Sequence, residues 1–318
     1  MIEYKNFKQF NDYHLIQELW NDDLLGMYPV SDFIFKQNVS ENKYVIKENS
    51  YVALAGDEVV GFIIAKEFMN DMVKRYHEIG FVSLFYVKRK YRRQKIATTL
   101  FEKVEAGFKK MGKKTIWIGK DINNFFPGVP VDFNHLTTVF LEKIGYNNLG
   151  PTHDMVCYHY QKDVIEHFEN MEKYEYRYFE EKDYKATKAF FEKCFPGRWE
   201  FEFQDYYETG IFGKDYIICL DKDQVVGFVR LSDTKVPIFP YHITWYQKFN
   251  NLGALGPLGV DSDHRRQKIG SNLLKIAIKD LHERGCTELL IDWTGLLDVY
   301  NRLGFEVWKS YTNYEKKV

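Results

Sequence analysis

The sequence has no apolar run long enough to span a bilayer, and its first residues, MIEYKNFKQFNDYH, lack the basic stretch and apolar core of a secretory leader. A soluble, cytoplasmic protein without a membrane partner is therefore expected. Cysteine is scarce: Cys157, Cys194, Cys219 and Cys286 stand far apart with no CxxC pair. They offer no disulfide framework, read as reduced intracellular thiols, and no metal is expected. An excess of one charge is also missing, at 44 basic against 45 acidic residues. A nucleic-acid binder would carry a basic surplus, so no nucleic acid is expected as partner.

Aromatic residues, by contrast, make up 17% of the chain, enough for well-packed cores and for pockets with flat walls. The 318 residues suffice for about two domains of ordinary size, each with its own core.

The chain is organised around Gly256 to Leu274. A β-like run, Leu252 to Val260, stops at the polar hinge Asp261-Ser262-Asp263. Arg265-Arg266-Gln267-Lys268-Ile269-Gly270 then opens a helix in which Ile269, Leu273, Leu274, Ala277 and Leu281 recur at helical spacing. A strand feeding a basic turn at a helix N-terminus aims free backbone N–H groups at one point, a geometry that holds phosphate. An exposed turn that merely solubilises a helix start would read the same, but the pattern recurs. Arg92-Arg93-Gln94-Lys95-Ile96-Ala97 repeats it between the apolar run Phe81 to Val87 and a helix carrying Ile96, Leu100, Val104 and Phe108.

Other elements repeat in the same order. A helix is expected over Asn11 to Leu25, with Asp12 as N-cap, and another over Tyr184 to Phe195. Hairpins are expected around Gly56-Asp57-Glu58 and Asp221-Lys222-Asp223, and Val225-Val226-Gly227-Phe228 copies Val59-Val60-Gly61-Phe62. Strands Lys114 to Gly119 and Thr287 to Trp293 each precede a short helix ending in Gly-aromatic, at Gly145-Tyr146 and Gly304-Phe305. A last strand is expected near Glu306 to Tyr311, and Tyr241 to Asn251 is read as continuing into a strand. A constant offset of about 170 residues marks an internal duplication. The polar stretch Gln161 to Tyr178 separates the copies, giving domains 1–168 and 169–318.

Each half resembles a GCN5-related N-acetyltransferase (GNAT) domain. The resemblance implies an α/β (α+β) fold: two tandem domains, each a mixed, mostly antiparallel twisted sheet flanked by helices. Its acetyl-CoA motif, [Q/R]-x-x-G-x-[G/A], falls on Arg265 to Gly270 and Arg92 to Ala97, with Lys268 and Lys95 where the first glycine is common. By resemblance, acetyl-CoA is the acetyl-donor cosubstrate, held by Leu258, Gly259, Val260, Arg265, Arg266, Gln267, Lys268, Ile269, Gly270 and Ser271. The matching residues Val87, Arg92, Arg93, Gln94, Lys95, Ile96 and Ala97 are candidates in the first half. The lysines make the turn less permissive.

Tyr300, in Leu297 to Phe305, matches the family tyrosine that protonates the departing thiolate, whereas the first half has Phe140, which has no proton to give. The resemblance thus implies a catalytic second half and a catalytically degenerate first half. Asp292 stands in the apolar strand Leu289-Leu290-Ile291-Asp292-Trp293, where an aspartate must be paired, turned outward or functional. It is the candidate base or anchor for the acceptor amine, and His242 is the second candidate base. Ile291 to Leu297, Phe126 to Pro130 and Phe195 to Trp199 look like a narrower group of bacterial tandem GNAT proteins that includes glucosamine/glucosaminide N-acetyltransferases. The implied acceptor is a small amino sugar bound by Asp292 and Trp293, with Trp199, Trp245, Phe239 and Arg230 as further candidates. Aminoglycosides, amino-cyclitol conjugates and polyamines remain alternative acceptors, and a non-catalytic acyl-CoA-binding protein is the alternative from another class.

Overall fold

The computed structural model of the chain describes residues 1–133, 135–160, 162–210 and 213–318. Cα proximity divides it into two units: Met1–Asn70, Arg75–Thr152 and Lys309–Val318 form the first, Asp71–Lys74 and His153–Trp308 the second.

In the first unit, β1 (Ile2–Asn6), β2 (Tyr51–Ala55), β3 (Glu58–Lys66) and β4 (Ile79–Val87) pair antiparallel in sequence order. Strand β5 (Thr115–Ile118) lies parallel to β4, the crossover being α3 (Ile96–Lys110). Helix α3 buries Ile96, Leu100, Phe101, Val104 and Phe108 against the sheet, the face its apolar spacing foretells. Helices α1 (His14–Leu24), α2 (Asp32–Phe35) and α4 (Leu136–Lys143) and the short strand β6 (Val129–Pro130) complete the order. Tyr13, not Asp12, is the N-cap of α1 and makes no side-chain cap bond. Asp12 contributes only its carbonyl, which accepts the Leu15 N–H at 3.0 Å.

The second unit repeats the plan. Strands β8 (Glu175–Tyr178), β9 (Tyr216–Asp221), β10 (Gln224–Ser232) and β11 (Leu252–Val260) run antiparallel, and β12 (Glu288–Thr294) is parallel to β11 through α8 (Ile269–Glu283). Helix α8 buries Ile269, Leu273, Leu274, Ala277, Ile278 and Leu281 on one side of this sheet. Full burial of one such side chain is worth roughly 1.5–3 kcal/mol, so Leu273→Asp alone would endanger the unit. On the other side, α6 (Tyr184–Cys194) and α7 (Arg198–Glu208) pack Phe190, Phe191, Phe203 and Tyr206 onto Tyr216, Ile218 and Phe228. The helices α5 (Lys162–Ile165) and α9 (Leu297–Asn301) are short.

The sixth strand of each sheet is where a cut at 168/169 departs from the structure. In the second unit, β12 is flanked antiparallel by β7 (Asn147–Cys157), through residues from His153 onward. In the first, β5 is flanked antiparallel by β13 (Glu306–Lys317), through Glu315, Lys316 and Lys317. Each sheet is thus completed by a strand from the other half of the sequence. Strand β13 also runs further than Tyr311. The polar stretch Gln161 to Tyr178 is not a bare linker, because it contains α5 and β8; Gln161 itself lies outside the described residues. Between Tyr241 and Asn251 there are two single tight helical turns, Tyr241–Ile243 and Tyr246–Lys248, rather than the start of a strand.

Candidate active site

Both basic turns fold alike. Arg266 and Lys268 have φ of 60° and 67°, Arg93 and Lys95 φ of 63° and 62°. The lysines at the expected glycine position take the left-handed conformation that glycine would take, so the anticipated loss of backbone freedom does not alter the turn. From Gln267 to Ser271 no backbone N–H finds an acceptor among the described residues, and the first bond is Asn272 N–H to the Lys268 carbonyl at 2.9 Å. The same holds from Gln94 to Thr98, with Thr99 N–H donating to the Lys95 carbonyl at 3.0 Å. Neither helix has an acidic residue in its first turn. Two rows of orphan donors at the positive end of a long helix dipole therefore face outward.

The side chains of these turns divide the labour. Arg265 and Arg266 are exposed, whereas Lys268 pairs with Glu169 at 3.0 Å and Gln267 accepts a bond from Lys173 at 3.2 Å. Ile269 is a core residue, so only its N–H is available to a ligand. A Cβ on Gly270 would touch only Val260 and Leu258 side chains, at 3.5 and 3.6 Å, and nothing in the protein demands a glycine there. Gly259 is different: a Cβ would lie 2.6 Å from the Phe195 ring, so packing of α6 accounts for that glycine. In the first unit Arg92 turns inward, donating to the Val87 carbonyl and the Tyr86 hydroxyl at 3.0 Å each.

The parallel strands splay as they approach the turns. Pairing of β11 with β12 ends at Ala254–Leu290, and pairing of β4 with β5 ends at Val82–Ile118. Beyond these points Leu255 to Val260 and Ser83 to Val87 have one strand edge without a strand partner among the described residues, open to ligand backbone-like groups.

Asp292 lies just past the splay, its side chain 21% exposed, with Oδ1 3.6 Å from His242 Nδ1. That separation exceeds a direct hydrogen bond. His242 is buried, and its Nε2 sits 3.2 Å from Ser232 Oγ. Gly256 has φ of 133°, open to glycine alone, and a Cβ there would stand 3.5 Å from Asp292 Oδ1. Asp292 and Trp293 form a bulge: Ile291 pairs with Met155 and Thr294 with His153, leaving two residues opposite Asp154. Trp293 has φ of 45°, a strained value for a bulky residue, and its N–H donates to Asp154 Oδ1 at 3.0 Å. Asp154 Oδ2 accepts the Tyr241 hydroxyl at 2.6 Å, which ties down the turn that carries His242.

Tyr300 is half-buried on α9, its ring 6.2 Å from that of Phe305. Burial and the Asp292 charge raise its phenol above 10.0, against a smaller lowering by the Thr294 hydroxyl. The phenol is therefore a kept proton. Its counterpart Phe140 packs edge-on to Phe101 at 5.5 Å. Gly119, which stands as far past Arg92 as Asp292 does past Arg265, leaves the first unit without the carboxylate as well.

Of the further acceptor candidates, Trp199 is half-buried against Phe195 and Phe228, and Trp245 and Phe239 are buried. Trp293 is half-buried, with the Arg198 guanidinium 5.4 Å from its ring. Arg230 lies at the β10 bulge opposite Leu255 to Leu258, 4% exposed, over the rings of Tyr206 and Tyr216 at 4.6 and 5.8 Å. Its Nε and Nη2 have no hydrogen-bond partner among the described residues. Asp154 and Tyr241 escaped sequence reasoning, because neither sits in a motif and Asp154 reaches this unit only through the exchanged strand.

Comparison with known proteins places these features in context. The model of the acetyltransferase (GNAT) family matches residues 13–126 and 184–305. N-alpha-acetyltransferase 30 of Dictyostelium discoideum is 35% identical over 71 residues, 21% of this chain and 38% of that protein. A fungal structure described as a GCN5-related glucosamine N-acetyltransferase region of a multi-domain GH3 beta-N-acetylglucosaminidase superposes with a TM-score of 0.87. It is 23% identical and covers 99% of this chain and 38% of its own. A tandem GNAT protein from the clavulanic acid biosynthesis pathway superposes at 0.68, with 14% identity, over 100% of this chain and 98% of its own. The chain thus spans about two fifths of the length of the first two relatives, and the structural likenesses establish the fold.

Proposed function

The chain belongs to the acetyltransferase (GNAT) family, and from that premise we propose that its second unit moves acetyl from acetyl-CoA to the amine of a small amino sugar, glucosamine or a glucosamine-containing cell-wall fragment. The residues present fit the donor. Orphan N–H groups from Gln267 to Ser271 suit its pyrophosphate, with Arg265 and Arg266 adding charge, and the open edge of β11 at Leu258, Gly259 and Val260 suits its pantetheine amides. Gly270 leaves room for close approach.

Acetyl-CoA, when bound, supplies an acetyl group activated as a thioester. The chain supplies the proton handling. Asp292 accepts the ammonium proton of the acceptor or orients the amine, with the His242 imidazole 3.6 Å away. Tyr300 holds a proton at its phenol oxygen for the departing sulfur, a role its raised ionisation favours. Free N–H groups on the splayed edge of β11 are the donors for the carbonyl oxygen.

The observation that carries the choice of acceptor is Arg230, at the bulge of the strand next to β11: two buried N–H donors without a hydrogen-bond partner among the described residues. Buried donors call for oxygen acceptors. A sugar provides hydroxyls, a polyamine provides none, and the half-buried Trp293 offers a face for a sugar ring. The glucosamine acceptor of the fungal region supports the same choice.

CoA release from acetyl-CoA is the test, with glucosamine, spermidine and an aminoglycoside as parallel acceptors. Turnover with glucosamine at least tenfold above the other two is expected; a preference for spermidine would refute the sugar reading.

A further inference from the structure

Two hydrogen bonds from a cavity of about 930 Å³ in the first unit, reached through Ser83 and Asp121, lies a buried lysine that takes no part in the transfer chemistry. The side chains of Lys66 and Asp121 are 0% and 1% exposed, and Lys66 Nζ stands 2.7 Å from Asp121 Oδ2. The ammonium also donates to the Asn123 carbonyl at 2.9 Å and the Ile122 carbonyl at 3.4 Å, which gives its three N–H groups an oxygen each. We propose that these oxygens form a primary-ammonium site equivalent to the acceptor-amine site of the second unit, and that Lys66 is its resident occupant. The inference rests on Asp292 being the residue that meets the acceptor amine.

Both units place these groups by the same strand registers. Lys66 on β3 pairs with Phe81 on β4 as Ser232 on β10 pairs with Ala254 on β11, and Phe81 and Ala254 stand equally far before the two basic turns. By the same count Ser83 matches Gly256. Gly119 brings no carboxylate to this place, but Asp121, two residues on, does: its Oδ2 accepts the Ser83 hydroxyl at 2.8 Å. In the second unit a Cβ on Gly256 would stand 3.5 Å from Asp292 Oδ1. Each unit therefore has a carboxylate beside the same strand position.

The difference lies in the residue that faces it. Ser232 stops at its hydroxyl, 3.2 Å from His242 Nε2, and the Asp292 side chain stays 21% exposed. Lys66 extends four methylenes further and delivers its own ammonium to Asp121. A carboxylate placed to draw in an amine from outside is thus neutralised from within. Burying both ions carries a desolvation cost that two apolar side chains would avoid, so the stability of the fold does not by itself call for the pair. Ser83 both lines the cavity and holds Asp121, so a small amine in the cavity can reach the carboxylate once the lysine chain is removed.

The test is chemical rescue of Lys66→Ala, read by thermal melts of the full chain without acetyl-CoA. The variant leaves a buried carboxylate uncompensated and should melt about 10 °C below wild type. Propylammonium has the three carbons and the ammonium that the variant lacks, and at tenfold its dissociation constant it should restore about 4 °C. Tetramethylammonium, which has the charge but no N–H, and propanol should restore nothing. Lys66→Met loses the charge yet fills the space, and should melt low without responding to propylammonium. If Lys66→Ala does not fold on expression, its refolding yield from urea with and without propylammonium makes the same comparison. Equal recovery with tetramethylammonium, or none with propylammonium, would overturn the proposal and leave Lys66 and Asp121 a structural pair. Because the readout involves no acetyl-CoA, a wild type silent toward glucosamine would instead sink the transferase reading and leave this ammonium site standing.

Discussion

Asp154 Oδ1 accepts the N–H of Trp293, and Oδ2 accepts the hydroxyl of Tyr241. One buried carboxylate thereby fixes both the bulge that aims Asp292 and the turn that carries His242. The bulge holds Trp293 in a conformation costing of order 1–3 kcal/mol, which persists only while Asp154 opposes it. Asp154→Asn keeps the volume but can satisfy only one of its two donors as an acceptor. Turnover should fall about tenfold, equivalent to ~1.4 kcal/mol in the barrier, with the KM for acetyl-CoA unchanged. A proportional rise in that KM would place the effect in the donor site instead.

Asp292→Asn should reduce kcat by at least ~100-fold at neutral pH, the range for loss of a general base, and His242→Gln by about tenfold. If His242 acts only by positioning Asp292, the double variant should cost little more than Asp292→Asn alone. Steady-state kinetics of the four proteins decides this, and full additivity would separate the pair.

The duplication was legible because its parts are local. The repeated basic turns, the Val-Val-Gly-Phe strands and the helix periods of Ile96 to Phe108 and Ile269 to Leu281 all lie within short windows. Asp292 could be singled out because a carboxylate interrupts an apolar strand. What stayed hidden depends on distant residues meeting. Asp154 sits on a strand from the first half that completes the second sheet, and no local pattern announces that exchange. Helix α7, which sets Trp199 against the core and lets Arg198 reach Trp293, is not among the elements legible in the sequence. The Tyr241 to Asn251 segment has the aromatic content of a strand but is held in turns, one of them by the Tyr241–Asp154 bond.

Arg230→Met keeps an unbranched side chain against Tyr206 and Tyr216 but removes the cation and both orphan donors. The KM for glucosamine should rise at least tenfold, as expected for loss of ~1.5–3 kcal/mol of charged hydrogen bonding, while stability holds or improves. Thermal melts alongside kinetics check both halves. A variant with unaltered KM would remove Arg230 from acceptor binding.

Tyr300→Phe should lower kcat between ~100-fold and 10,000-fold, leaving acetyl-CoA affinity unaltered. Because burial and Asp292 raise the phenol above 10.0, wild-type kcat should lose activity only on an alkaline limb above that value. The limb should vanish in the variant. A limb that survives belongs to another group.

Glu58 accepts hydrogen bonds from Lys88 at 2.9 Å, Tyr91 at 2.8 Å and Lys90 at 3.1 Å, joining β3 to the segment that enters the first basic turn. These bonds hold its carboxyl down at about 2, against an ordinary 4.5. A carboxyl lowered in the folded chain adds stability above its unfolded value, and that stability disappears as pH falls through the folded one. Glu58→Gln should therefore melt below wild type at pH 7, and the gap should close as pH drops from 4.5 towards 2. Because Glu58 is about a third exposed, the gap should also shrink in 1 M salt, where the Debye length is about 3 Å. A gap unchanged by acid and salt would mean that glutamine disturbs packing at this turn, and that the charge of Glu58 does not hold it.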